Sequence, residues 1–107
     1  MKKYEVGFII KPTIDEAATK AVVTQLKNIY VDSDSIILDE LELGLRPMAY
    51  EIEKHQNGFY YFMIVETTAE ANKEFERICN ISEDVIRYMF IDVDNVEANT
   101  LDVLRKK

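Results

Sequence analysis

The chain has 107 residues, 48% of them hydrophobic, which is enough for one domain with a single core. Its net charge of −7 argues against nucleic-acid binding unless basic residues form a local patch, because phosphate contacts need lysine and arginine. The single cysteine, Cys79, excludes an internal disulfide and a cysteine metal site, and the single histidine, His55, is expected to be a solvated hairpin residue.

The N-terminal segment MKKYEVGFII is basic and then apolar, as a signal peptide would be. Glu5 and the lack of a small-residue cleavage site favour a first strand instead. Alternating apolar residues from Tyr4 to Ile10 indicate that this strand is half-buried. Thr13 and Glu16 then form a capping box, which predicts a helix that runs to about Tyr30.

A long second strand is predicted over residues 36–53. Its apolar residues change from odd to even positions across the segment GLRPMAYEIEK, and one extra residue in the strand would restore the correct face. We therefore predict a β-bulge within Gly44–Pro47. A bulge and a proline are both typical of an edge strand, so edge protection by itself would also account for them.

The dipeptide Asn57-Gly58 predicts the turn of a hairpin, and the segment FYYFMIV that follows is apolar at every position. Such a strand is covered on both faces and is expected at the centre of its sheet. Thr67 and Glu70 form a second capping box, which predicts a helix ending near Asn80. A last strand is expected over residues 85–93.

The element order β-α-β-β-α-β predicts an α+β, ferredoxin-like sandwich. Its four-stranded antiparallel sheet should have the strand order 4-1-3-2, with both helices on one face. We expect residues 1–93 to form this domain and residues 94–107 to form a polar tail.

The sheet face without helices should still be apolar, because either Tyr60, Phe62 and Ile64 or their neighbours in the third strand must point outward. This predicts a site for a protein or RNA partner, since RNA-binding domains of this fold stack bases on such a face. The alternative is that the tail covers the face through Leu101, Val103 and Leu104.

Basic residues at strand ends and near the predicted bulge are the candidate binding residues, although each is also an ordinary surface charge. They are Lys2, Lys3, Arg46, Lys54 and Arg87. Catalysis is not expected, because Asp39, Glu40 and Glu42 have no accompanying base, nucleophile or metal set and no glycine-rich loop is present.

Three segments resemble the bacterial small-subunit ribosomal protein six family: MKKYEVGFIIKP, LGLRPMAYEIEK with the hairpin NGFYYFMIVE, and EFERICNISEDVIRYMFI. The resemblance covers about residues 1–93. It implies a ferredoxin-like, non-catalytic component of the small ribosomal subunit in the cytoplasm, without a cofactor. It further implies binding to the central domain of small-subunit (16S) ribosomal RNA as a heterodimer with small-subunit ribosomal protein eighteen.

The resemblance also suggests roles for single residues. Lys2 and Lys3 match the basic start of the family's first strand, Arg46 matches an arginine before its AYEI-like motif, and Arg87 matches the basic residue of its last strand. These residues are expected to contact phosphates. Tyr50 and Tyr60 match aromatic positions for which core packing is expected.

The chain also departs from the family pattern. Leu45 and Pro47 replace basic residues that usually flank Arg46, and Asp92 stands where a basic residue is frequent. Each lost contact should weaken RNA binding and its salt dependence, so this chain should rely more on its protein partner.

Two other functions remain open from the sequence. A homodimeric regulatory or ligand-binding domain would use the same face against a second copy, and would form a stable dimer without RNA. A small hydrolase similar to acylphosphatase would need an anion-binding loop after the first strand, where Lys11-Pro12-Thr13 lacks glycines.

Overall fold

The computed structural model describes residues 1–52 and 54–93, and the predicted tail lies outside the described residues. Its elements follow the predicted β-α-β-β-α-β order. They are β1 (Lys2–Ile10), α1 (Glu16–Asp32), β2 (Ile36–Ile52), β3 (His55–Thr67), α2 (Ala69–Ile81) and β4 (Val85–Asp92). Neither helix in the described part is long and apolar enough to cross a membrane.

The four strands form one antiparallel sheet in the order β2-β3-β1-β4. Read from the other edge this is 4-1-3-2, so the ferredoxin-like prediction is confirmed. The central position of β3 agrees with its continuous apolar run, because side chains on both of its faces are covered.

The main core lies between the sheet and the two helices. β1 contributes Val6, Phe8 and Ile10 to it, which confirms the predicted alternation. The phenol ring of Tyr61 stacks on Phe8 at 5.3 Å between centroids. The remaining buried members of this core are Val22, Leu26, Tyr30, Met63, Val65, Ala71, Phe75 and Cys79.

The helix starts differ from the predicted capping boxes. The Asp15 carboxylate accepts a 2.7 Å hydrogen bond from the Ala18 N–H, so Asp15 rather than Thr13 caps α1. In α2 the Thr68 hydroxyl accepts a hydrogen bond from the Ala71 N–H. Thr67 instead lies at the end of β3, where its hydroxyl is 2.6 Å from that of Ser35.

The irregularities of β2 also lie elsewhere than predicted. The register between β2 and β3 shifts between Glu42 and Gly44 and is then regular from Gly44 to Pro47, so the extra residue is Leu43, directly before the predicted range. Gly44 has φ +78°, a left-handed conformation that glycine adopts without strain. Further shifts occur near Leu38 and between Pro47 and Ile52.

The predicted hairpin turn at Asn57-Gly58 is wrong, because both residues lie inside β3. The chain reverses between Ile52 and His55, which are paired, and Lys54 in this turn has φ +68°. Gly58 serves a different purpose: a Cβ atom there would overlap Cγ2 of Ile9 on β1. The glycine is therefore explained by close packing rather than by a turn.

Candidate nucleic-acid interface

We call the sheet surface opposite the helices the open face. Tyr60, Phe62 and Ile64 of β3 point to this face and form a second apolar cluster, separate from the main core. Leu41 and Leu43 of β2 pack against this cluster. On the β4 side, Met89 and Ile91 are 45% and 44% exposed. The predicted apolar face is therefore present, with its centre buried and its β4 side exposed.

The five candidate basic residues divide into two groups at opposite ends of the sheet. At the end where β1 finishes and β3 begins, which we call the hairpin end, lie Arg46, Lys54 and Arg87. Lys2 and Lys3 lie at the other end, where β1 begins. Because Arg87 is level with Ile9 and a strand rises 3.2–3.4 Å per residue, the two groups are about 20 Å apart.

The group at the start of β1 is partly neutralised by acidic neighbours. The Lys2 ammonium lies 3.7 Å from the carboxylate of Asp92. Lys3 is paired in register with Glu66 of β3. Both lysines remain exposed, but their net field is weaker than two lysines alone would produce.

The group at the hairpin end has a different electrostatic environment. Within residues 1–52 and 54–93, the ion pairs include none of Arg46, Lys54 and Arg87. Arg46 donates a 2.9 Å hydrogen bond to the carbonyl of its neighbour Leu45, a neutral acceptor that does not cancel the arginine charge. In a chain of net charge −7, this end of the sheet is the part of the candidate site most favourable to phosphate.

Arg87 is held by Tyr50, although the two residues are 37 positions apart. Its Nη1 donates a 2.5 Å hydrogen bond to the Tyr50 hydroxyl, and its guanidinium carbon lies 5.4 Å from the centroid of the tyrosine ring. Tyr50 is 58% exposed, so the expectation that it packs in the core is wrong. Tyr60 is half-buried against Phe62, as expected of a packing residue.

The acidic residues of β2 do not form a catalytic site. Glu40 accepts hydrogen bonds from Lys27 and Tyr61, and the Lys27 contact holds the pKa of its carboxyl below the ordinary value. Burial, with a contribution from Glu40, raises the pKa of the Tyr61 hydroxyl. Among the described residues, no group of three or more histidines, cysteines, aspartates and glutamates is placed to hold a metal ion.

A ferredoxin-like sandwich with an apolar open face, and with cations at one end that form no ion pair within the described residues, is typical of a binding domain. The sequence profile of the family described as Ribosomal protein S6 matches residues 3–92. The chain therefore belongs to the ribosomal protein S6 family, whose members are structural proteins of the small ribosomal subunit.

Curated relatives support this assignment. The small ribosomal subunit protein bS6 of Phytoplasma australiense is 41% identical over 91 residues, which cover 85% of this chain and 98% of the relative. That of Acholeplasma laidlawii is 41% identical over 87 residues, covering 81% and 92%. Membership of this non-enzymatic family confirms the predictions of no catalytic activity and of a cytoplasmic location on the ribosome.

A solved structure shows the same fold. The crystal structure of 30S ribosomal protein S6 from Thermotoga maritima superimposes with a TM-score of 0.80 at 24% identity. The match covers 98% of this chain and 92% of the other.

Proposed function

We propose that this chain binds the central domain of small-subunit (16S) ribosomal RNA together with small-subunit ribosomal protein eighteen. The role is structural: the chain stabilises a folded RNA junction by binding to it. The observation that carries the RNA contact is the group of exposed cations at the hairpin end, Arg46, Lys54 and Arg87, which have no acidic partner among the described residues.

Phosphate recognition suits this group physically. An arginine presents a planar fork of N–H donors that fits two phosphate oxygens, and a lysine adds a mobile point charge. A cation already paired with a carboxylate must lose that interaction before it binds RNA, whereas Arg46, Lys54 and Arg87 have no such pair within residues 1–52 and 54–93. We assign a weaker, secondary contact to Lys2 and Lys3, because Asp92 lies beside Lys2.

The open face is better suited to the protein partner than to RNA bases. Base stacking needs an accessible ring, and Phe62 at the centre of the face is only 7% exposed. The exposed side chains beside it on β4, Met89 and Ile91, are not aromatic. We therefore assign the apolar part of the open face to protein eighteen and the hairpin end to RNA, with both sites in the domain of residues 1–93.

The test is a filter-binding titration of a central-domain RNA fragment with this chain and purified protein eighteen, repeated over a salt series. Arg46→Gln, Lys54→Gln and Arg87→Gln are measured separately. Each phosphate contact removed should make the negative slope of log K against log salt shallower by about 0.7–0.9. The matched control is Lys73→Gln, which removes an exposed cation from α2, a helix on the opposite side of the sheet.

If the salt slopes of all four variants equal the wild-type slope, the hairpin end does not contact phosphate. Sedimentation of the chain alone and with protein eighteen tests the partner. We expect a monomer alone and a one-to-one complex in the mixture. A stable dimer of the chain alone, with no RNA binding at low salt, would instead support the homodimeric regulatory domain.

A further inference from the structure

We infer that Tyr50 is a positioning residue for RNA binding, which holds the Arg87 guanidinium in a phosphate-accepting orientation before RNA arrives. This inference rests on the proposed function, because it assumes that Arg87 contacts RNA. Tyr50 carries no charge, so a search of the sequence for basic residues does not identify it. Its basis is a contact between opposite edges of the sheet.

The contact requires the hairpin to fold back over the open face. Tyr50 is on the edge strand β2, and Arg87 is on the other edge strand, β4, with two strands between them. Arg87 is level with Gly44 of β2 through Ile9 and Tyr60. In a flat, regular sheet Tyr50 would lie about 20 Å from Arg87 along the strand direction, since it follows Gly44 by six residues. It would also lie about 14 Å from Arg87 across the sheet, so these side chains could not meet.

The structure shows how this fold-back arises. Between Pro47 and Ile52 the register shifts, so that four residues of β2 lie opposite one residue of β3. The excess length releases this part of β2 from the regular ladder. Met48 in the released part lies against Gly58, where a side chain would leave no room beside Ile9. The register shift and the lack of a side chain at Gly58 are therefore both compatible with this bend.

The chemistry of the pair suits positioning. A guanidinium has five N–H donors, and the Tyr50 hydroxyl occupies one of them, which leaves four for a phosphate. The tyrosine is neutral, so it fixes the arginine without cancelling its charge. Arg77 shows the contrast: Glu74 takes its Nε and Nη2 donors and neutralises it.

Orientation before binding should raise affinity. A free arginine side chain loses rotamer freedom when it docks on a phosphate, and this loss opposes binding. In this protein the hydrogen bond and the ring contact restrict Arg87 during folding instead. Tyr50 should therefore strengthen RNA binding without touching RNA.

A double-mutant cycle on RNA affinity, again with protein eighteen present, tests this role. We expect Tyr50→Leu to weaken binding about 3- to 10-fold, and Tyr50→Phe, which keeps the ring contact, to weaken it less. In an Arg87→Gln background, Tyr50→Leu should have no further effect, because Tyr50 acts through Arg87. Lys73→Gln is the control for nonspecific charge effects.

An NMR measurement on the free protein gives a readout that does not depend on RNA. The Arg87 Nε–H resonance should show a ring-current shift and restricted motion in the wild type, and Tyr50→Leu should abolish both. Thermal unfolding of each variant checks that the fold persists, which is expected since Tyr50 is exposed.

The outcomes separate the inference from the proposed function. If Arg87→Gln weakens RNA binding and Tyr50→Leu does not, the positioning role is overturned while the proposed function stands. If Tyr50→Leu has the same effect with and without Arg87, Tyr50 contacts RNA directly and the positioning role is again overturned. If Arg87→Gln has no effect, Arg87 is not an RNA contact and the inference fails with that part of the proposed function.

Discussion

Lys27 on α1 and Glu40 on β2 form an ion pair with 2.8 Å between Nζ and Oε1. The second carboxylate oxygen of Glu40 accepts a 2.9 Å hydrogen bond from the hydroxyl of Tyr61 on β3. One carboxylate thus joins a helix to two strands, at the edge strand β2 of the four-stranded sheet that the described residues form. These two contacts should stabilise β2, because an edge strand with several register shifts is held less well by its backbone pairing alone.

We expect Glu40→Gln to lower the free energy of unfolding at pH 7 by about 1 kcal/mol. The Lys27 hydrogen bond lowers the pKa of Glu40 in the folded state, so its stabilisation is present above the ordinary glutamate pKa. It is lost as the pH falls through the lower, folded-state pKa. Urea unfolding at pH 7 and below about pH 4 should therefore show the difference from wild type shrinking with acid.

The control for this change is Glu83→Gln, at an exposed residue between α2 and β4. It should behave as wild type at both pH values. A difference for Glu40→Gln that is constant across the pH range would contradict the ionic origin of the effect.

The two possible caps of α1 can be separated by mutation. Asp15→Ala should lower the free energy of unfolding by about 1 kcal/mol, because the Ala18 N–H loses its acceptor at the helix start. Thr13→Ala should change it by less than about 0.5 kcal/mol, as expected for an exposed residue before the helix. Chemical denaturation of both variants measures this, and the reverse order would restore Thr13 as the cap.

Gly7 on β1 leaves no space for a side chain on the open face. A Cβ atom there would lie 2.8 Å from two carbons of the Phe62 ring and 3.3 Å from Cγ of Met89. We expect Gly7→Ala to lower the free energy of unfolding by about 1–3 kcal/mol and to move Phe62, visible as shifts of its ring protons in NMR spectra.

Gly44→Ala is the informative comparison, because a Cβ atom at Gly44 meets nothing within 4 Å but the residue has φ +78°. It should destabilise by about 1 kcal/mol through backbone strain, without shifts at Phe62. Equal effects on the Phe62 ring in both variants would argue against steric overlap at Gly7.

Cys79 should be chemically inert while the protein is folded. It is buried in the main core, and this burial raises the pKa of its thiol to about 12. At pH 8 very little thiolate is therefore present, and a reagent has no access to it. Mass spectrometry should find no alkylation by iodoacetamide in the native protein and complete alkylation in urea; rapid native labelling would show that α2 opens readily.

The architecture follows from local patterns, as β1 and β3 show. The alternation of apolar residues from Tyr4 to Ile10 indicates the half-buried strand β1, and the continuous apolar run of β3 indicates the central strand. The helix caps were misplaced because Thr13 and Thr67 each fit a capping motif, although a neighbouring residue, Asp15 or Thr68, supplies the acceptor. The residue at which a helix begins depends on the direction in which the preceding loop leaves the sheet. A motif of four residues does not specify that direction.

The hairpin was harder to predict for a different reason. Asn57-Gly58 has the composition of a tight turn, but Gly58 is required by the side chain of Ile9, a residue 49 positions earlier. The pairing of Tyr50 with Arg87 likewise depends on how far the hairpin bends. The basic residues could be selected from their charge, whereas their division into two groups needed the strand register.

The pairing of β1 has a consequence for how the chain folds during synthesis. β1 is made first, yet Lys2 pairs with Thr67 and Tyr4 pairs with Asp92. At about 5–20 residues per second, several seconds pass between the synthesis of β1 and that of β4, whereas a hairpin such as β2–β3 forms in microseconds. The first strand to be synthesised, β1, is therefore the last to have both of its partner strands available. Until β4 emerges from the ribosome, the nascent chain exposes an apolar, unpaired strand edge to which chaperones can bind.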